Sequence, residues 1–177
     1  MIGKKEIQHG SNFWTNFFKT PTESEDLELL LKNIPTFEGL KTKYIKQLVD
    51  ILHNREYQPN ENIFMQGDPG IGLFIIREGE VKITHKDEDG NTYDLALLNR
   101  GDFFGEMAML EGDIRSATAT AVKKSNLVAI FKPDLDEFIE QNLKAGVHIL
   151  KGFARILSTR LKRANEEYFN LFLEKNK

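Results

Sequence analysis

GLFIIREGEVKITHKDEDGNTYDLALL, residues Gly72 to Leu98, is the stretch on which the fold turns. Its two halves are rich in β-branched and aromatic residues, and Asp89, Gly90 and Asn91 between them make a hairpin turn. Runs of the same character lie on either side, NIFMQ before it and SATATAVKKSNLVAIFK after it, bounded by glycine and Asp-Gly turns. Several short strands with glycine corners predict a mainly β chain folded as a jelly-roll barrel, a double-stranded β-helix.

Outward from the strands the period becomes helical. DLELLLKN (Asp26 to Asn33) and KTKYIKQLVDILH (Lys41 to His53) read as helices separated by IPTFEGL, where Pro35 and Gly39 punctuate. Helix returns at Pro133, a residue suited to a first turn. Beyond it Leu143, Val147, Leu150, Ala154, Leu157, Leu161, Ala164, Tyr168 and Leu171 recur by steps of four and three, the seam of one long helix. Such a stripe serves self-association as a homodimer or packing on the chain's own barrel, and Gly146 and Gly152 weaken its start as a helix. Before the barrel, Phe13, Trp14, Phe17 and Phe18 fall on one side of a helical pattern that Ser11 or Asn12 caps and Pro21 ends. They cover the chain's own core or a dimer groove; docking on a partner or a membrane surface is the competing reading. The expected division is an N-terminal aromatic extension over 1–25, a β-barrel with its N-terminal helices over 26–142, and the long helix, as lid and dimerisation element, over 143–177.

A chain of 177 residues, 40% hydrophobic, supports one compact domain with helical appendages. The net charge of −3 argues against a primary grip on nucleic acid, and no direct DNA binding is expected. No stretch is apolar for the ~18 residues of a membrane span, and the first residues lack the apolar core of a secretory signal. With no cysteine, a reducing, cytoplasmic setting is the expectation. Enzyme chemistry has little to work with, because His9, His53, His85 and His148 are scattered and no HxH or HExxH spacing occurs. No metal site is expected.

One cluster interrupts the strand pattern. In FFGEMAMLEGDIRSATATA (Phe103 to Ala121), Gly105 lets backbone approach a ligand closely, and residues 105–110 suit one helical turn whose free N–H groups attract an anion. Arg115, after a short loop, adds a planar fork that matches two phosphate oxygens. A carboxylate at Glu106 would repel an anion unless it addressed a neutral part of the same ligand, and a ribose hydroxyl is the obvious candidate. No GxxxxGK[ST] loop is present for a triphosphate. From spacing alone, a plain Glu106–Arg115 ion pair closing a turn remains the alternative.

At these residues the chain resembles the cyclic nucleotide-binding domain family, whose phosphate-binding cassette reads F-G-E-[LI]-A-L, a short loop, then R-[AST]-A. Phe104, Gly105, Glu106, Met107, Ala108 and Met109 fill the first part, and Arg115, Ser116 and Ala117 the second. IPTFEGL, IFMQGDPG, GLFIIREGEV and LLNRGDFFGE follow the family's order, so the resemblance spans about residues 26–173. It is strongest to the effector domain of bacterial catabolite-activator-type (cAMP receptor) regulators. The resemblance implies a non-enzymatic receptor for cyclic AMP, with cyclic GMP the other ligand to test, that signals to a protein partner. It places the N–H groups of Met107 and Ala108 and the residues Arg115, Ser116 and Ala117 at the phosphate, and Glu106 at the ribose 2′-hydroxyl. Ile83 and Leu95 would wall the base and sugar.

Two departures matter. Kinase regulatory members support the cassette arginine with an acidic residue just after the glycine corner, where this chain has Ile71. Bacterial regulators read the purine edge with a threonine and a serine on the long helix, and the matching positions here are Ala164 and Asn165, with Arg160 and Arg163 nearby. An asparagine both donates and accepts, so Asn165 suits adenine. The chain also stops at Lys177, before the helix-turn-helix with which those regulators continue, which points to a sensor. A constitutive interaction scaffold with a relic nucleotide site is the alternative of another class.

Overall fold

The structure, a computed structural model, describes residues 22–107 and 114–175. The aromatic residues Phe13, Trp14, Phe17 and Phe18, and Ala108 of the cassette, lie outside the described residues. Helix α1 (Glu23–Lys32) opens on a capping box, in which the Thr22 hydroxyl accepts from the Glu25 N–H and the Glu25 carboxylate accepts from the Thr22 N–H. Helix α2 is Thr42–Asp50. Eight strands follow: β1 (His53–Tyr57), β2 (Asn62–Phe64), β3 (Gly72–Glu78), β4 (Glu80–Lys86), β5 (Thr92–Asn99), β6 (Phe103–Phe104), β7 (Thr118–Ala121) and β8 (Ser125–Phe131). Two helices close the chain, α3 (Lys132–Gln141) with its proline in the first turn, and α4 (Leu143–Lys175).

The strands form two antiparallel four-stranded sheets, ordered β1-β8-β3-β6 and β2-β7-β4-β5. They make the two walls of the jelly roll. The near-continuous apolar run of β3 follows from its place between two cores, for a strand covered on both faces has no side to leave polar. Leu73 and Ile75 of β3, with Val128 and Ile130 of β8, pack under the helices against Leu31, Phe37, Ile45, Ile149 and Phe153. The alternate residues Phe74, Ile76, Leu127 and Ala129 turn between the sheets with Val81, Phe104 and Ala119. This period of two assigns each side chain to its core.

Helix α4 is anchored at its start. It buries Ala145, Gly146, Ile149, Gly152 and Phe153, all within its first eleven residues. The glycines that weaken this helix on propensity are the points of closest approach. A Cβ on Gly152 would come within 2.5 Å of the Thr36 Cα, and one on Gly146 within 2.6 Å of the Ile139 side chain. His148 Nε2 donates to the Glu38 carbonyl at 2.5 Å and completes the grip of the IPTFEGL segment on the helix. The leucine seam is a different face: Leu143, Val147, Leu150, Leu157, Leu161, Tyr168 and Leu171 are all exposed. These large side chains are left largely uncovered by the barrel.

Candidate functional site

A cavity of about 420 Å³ opens between the β2-β7-β4-β5 sheet, the segment after β6, and the second half of α4. That volume falls in the range of small-molecule sites, ~300–1,000 Å³. Its floor is aromatic, its wall aliphatic, and its charged groups come from two directions. Phe64 and Phe104 lie below, and Ile83, Leu95, Ala96 and Leu98 make the wall. The wall depends on an irregularity in the β4–β5 ladder. Ile83 pairs with Ala96 but Thr84 pairs with Asp94, which leaves Leu95 as the extra residue of a bulge and turns neighbouring side chains into the cavity.

The cassette glycine is required by conformation and by space together. Gly105 has φ +85°, and a Cβ there would meet Arg115 Nη1 at 2.6 Å and the Gly72 carbonyl oxygen at 3.0 Å. Arg115 lies directly against this backbone, only 4% exposed. Its Nη1 donates to the Gly105 carbonyl at 3.0 Å and its Nη2 to the Gly72 carbonyl at 2.9 Å. Its own backbone is pinned to the glycine corner, Arg115 N–H to Asp68 carbonyl at 2.8 Å and Gly67 N–H to Arg115 carbonyl at 2.9 Å. Burial pushes the guanidinium pKa down, opposed by the Asp68 and Glu106 carboxylates, and an arginine so placed stays charged. Its Nε is buried without a hydrogen-bond partner. A buried cation with an unmatched donor beside a cavity is the chemistry of an anion site.

Glu106 follows Gly105 and is 1% exposed. Its Oε1 accepts from Arg160 Nη1 of α4, so the ion pair open to Glu106 from spacing alone forms with the long helix and not with Arg115. Arg160, Arg163, Ala164 and Glu167 all line the cavity. Their spacing of three, one and three places them on one helical face. Asn165 is not among the lining residues, because one step of roughly 100° from Ala164 carries it off that face. Arg163 and Glu167 are themselves paired at 2.8 Å. Among the described lining residues three arginines stand against two glutamates, a balance that favours an anionic ligand.

Of the other residues singled out in the sequence, Phe104, Gly105, Met107, Ser116, Ala117, Ile83, Leu95 and Arg160 also line the cavity. Phe64 and Glu167 were not legible as site residues: Phe64 reads as a strand residue, and Glu167 as a solvated helix charge. Residues 54–142, half of the chain, match the cyclic nucleotide-binding domain. The chain belongs to the cyclic nucleotide-binding domain family. It is 34% identical over 137 residues to the "Cyclic AMP receptor protein" of Thermus thermophilus, covering 77% of this chain and 62% of that protein. It is 37% identical over 94 residues to the "cAMP-dependent protein kinase regulatory subunit" of Mycosarcoma maydis, covering 53% of this chain and 18% of that one. The crystal structure of the Thermus thermophilus catabolite activator protein superposes with a TM-score of 0.71 at 32% identity, over 77% of this chain and 62% of that structure. This cyclic nucleotide-binding domain thus spans less than two thirds of the length of these relatives. Among its described residues no helix is long and apolar enough to cross a membrane, and no group of histidine and acidic residues has the makings of a metal site.

Proposed function

We propose that this chain is a non-enzymatic receptor module whose ligand is cyclic AMP and whose output passes through α4 to a protein partner. The observation that carries this reading is the shared cavity of two buried, oppositely charged side chains, Arg115 and Glu106. A cyclic nucleotide matches them because its single phosphate charge and its ribose 2′-hydroxyl lie on one small ring system. The phosphate meets the Arg115 fork and the N–H groups that begin at Met107 and Ala108, beside Ser116 and Ala117. The hydroxyl donates to Glu106, and Ile83, Leu95 and Leu98 enclose sugar and base.

Cyclic AMP is preferred over cyclic GMP because the relatives from Thermus thermophilus and Mycosarcoma maydis carry cyclic AMP in their names. The exposed seam of α4 supports a homodimer, the barrel and its N-terminal helices over 26–142 acting as the binding unit and 143–177 as lid and dimerisation helix. Isothermal titration calorimetry with cyclic AMP and cyclic GMP tests the proposal. Binding of cyclic AMP, tighter than cyclic GMP, is expected; absence of heat with both at high micromolar concentration refutes it.

A further inference from the structure

Among the described residues, Phe64 is the one cavity residue whose ring lies over the Arg115 guanidinium, with the Cζ 4.1 Å from the ring centroid. We infer that Phe64 is the positioning residue of the anion site, holding the plane of the Arg115 fork so that its free edge meets the ligand phosphate. The inference rests on the proposed function and says how its phosphate end is built.

Two carbonyl oxygens, those of Gly105 and Gly72, hold Nη1 and Nη2. A planar group fixed at two points along an edge can still pitch about the line that joins them. A ring packed 4.1 Å from the Cζ limits that pitch, and the ring's negative face attracts the cation while doing so. Phe74 stands further off, at 5.7 Å. The Phe64 ring is itself held at 5.8 Å from both Phe74 and Phe104, and its backbone pairs with Ala119 of β7. Phe104 immediately precedes Gly105, so one aromatic cluster supports both parts of the cassette.

The carboxylates near Arg115 act on it through their charge, and the hydrogen bonds given for them run to other groups. Glu106 accepts from Arg160, and Asp68 Oδ2 accepts from the Met65 N–H at 2.7 Å. Ile71, at the position where kinase regulatory members resembled by this chain carry an acidic support, is 58% exposed. The aromatic face therefore takes the place of a carboxylate relay. It orients the guanidinium without adding a further negative charge beside it, so Asp68 and Glu106 remain the carboxylates that act on it.

The test is calorimetry on the full chain with cyclic AMP and with adenosine, which lacks the phosphate, for wild type, Phe64→Leu, Phe64→Tyr, Arg115→Ala and the Arg115→Ala/Phe64→Leu double variant. Phe64→Leu is expected to weaken cyclic AMP by about three- to thirty-fold, the range of a partly desolvated cation–π contact. The loss for adenosine is smaller than that for cyclic AMP, Phe64→Tyr recovers most of the cyclic AMP affinity, and Phe64→Leu costs cyclic AMP nothing more once Arg115 is alanine. In the ligand-free protein the Arg115 Nε–H resonance, assigned by its loss in Arg115→Ala, is shifted by the ring current and moves in Phe64→Leu but not in Phe64→Tyr. An unchanged resonance, wild-type affinity in Phe64→Leu, an equal loss for adenosine, or additivity in the double variant each overturns the assignment. If circular dichroism shows Phe64→Leu unfolded, Phe64→Met takes its place in every comparison. Wild type that binds no cyclic nucleotide removes the proposed function and this inference together; wild type that binds while Phe64→Leu matches it removes the inference alone.

Discussion

Replacing Gly105 by alanine separates two costs that the cassette combines, and Gly101 supplies the control. Both glycines have positive φ, +85° and +89°. A non-glycine residue in that region costs roughly 1–2 kcal/mol wherever it stands. Around Gly101 a Cβ would meet nothing within 4 Å, so Gly101→Ala should lose only that backbone term. At Gly105 the added carbon would lie 2.6 Å from Arg115 Nη1 and 3.0 Å from the Gly72 carbonyl oxygen, and the second of these is backbone. The arginine head must move. Moving it loses at least one of its two carbonyl hydrogen bonds, worth about 1.5–3 kcal/mol for a charged donor. Gly105→Ala is therefore expected to destabilise by about 2.5–5 kcal/mol against about 1–2 for Gly101→Ala. Urea unfolding by circular dichroism reads the difference, and calorimetry should show cyclic nucleotide affinity lost in Gly105→Ala and kept in Gly101→Ala. Equal shifts of the two midpoints, or undiminished affinity in Gly105→Ala, would refute the argument that this glycine makes room for Arg115.

Three further outcomes follow from the same geometry. Arg115→Ala should weaken cyclic nucleotide binding by ~1.5–3 kcal/mol, the range for hydrogen bonds to charged groups, and unchanged calorimetric affinity would remove its role. Gly152→Ala should destabilise by ~1–3 kcal/mol in urea, although alanine ordinarily stabilises a helix over glycine, because the Thr36 Cα and carbonyl oxygen at 2.5 and 2.7 Å are backbone and cannot step aside. Under the proposed homodimer, wild type should sediment as a dimer and Leu161→Glu, on the exposed seam, as a monomer with little loss of fold in analytical ultracentrifugation; a monomeric wild type, or an unchanged mass in the variant, would refute dimerisation through this seam.

The barrel was legible because its local signals agree. Glycine corners, the Asp89-Gly90-Asn91 turn and the apolar run of β3 each report on neighbours a few residues away. Gly90 does adopt φ +91° in the β4–β5 turn. The cassette was legible as chemistry for the same reason, since Gly105, Glu106 and Arg115 lie within eleven residues. Contacts with α4 were not. Arg160 is 54 positions from Glu106, and which helical face turns to the cavity is set by how Gly146 and Gly152 seat the first turns on Ile139 and Thr36. A residue pattern cannot show that seating. Asn165, chosen by position against related chains, lies one step off the lining face, while Arg163 and Glu167 lie on it. Phe64 is not legible in the sequence because a phenylalanine at a strand end has an ordinary explanation in the core, and only its distance to Arg115 distinguishes it.

The Glu106–Arg160 pair joins the cavity to the helix that carries the exposed seam, and this has a consequence for coupling. The buried residues of α4 end at Phe153, and from Arg155 to Lys175 the helix meets the barrel mainly through the cavity-lining face. Its first half is thus fixed by packing, and its second half by charge. Under the proposed function a ribose hydroxyl donating to Glu106 shares a carboxylate that Arg160 already holds. The ligand can shift α4 only by as much as it favours one arrangement of that pair over another. Because Glu106 is buried and Arg160 half-exposed, the carboxylate is the fixed partner and the arginine the movable one. Any rearrangement is then carried by the distal half of α4, where Leu157, Leu161, Tyr168 and Leu171 stand beside the cavity face on the same turns. If both parts of the proposed function hold, nucleotide binding and self-association act on one segment of helix, and each should alter the other by the same free energy.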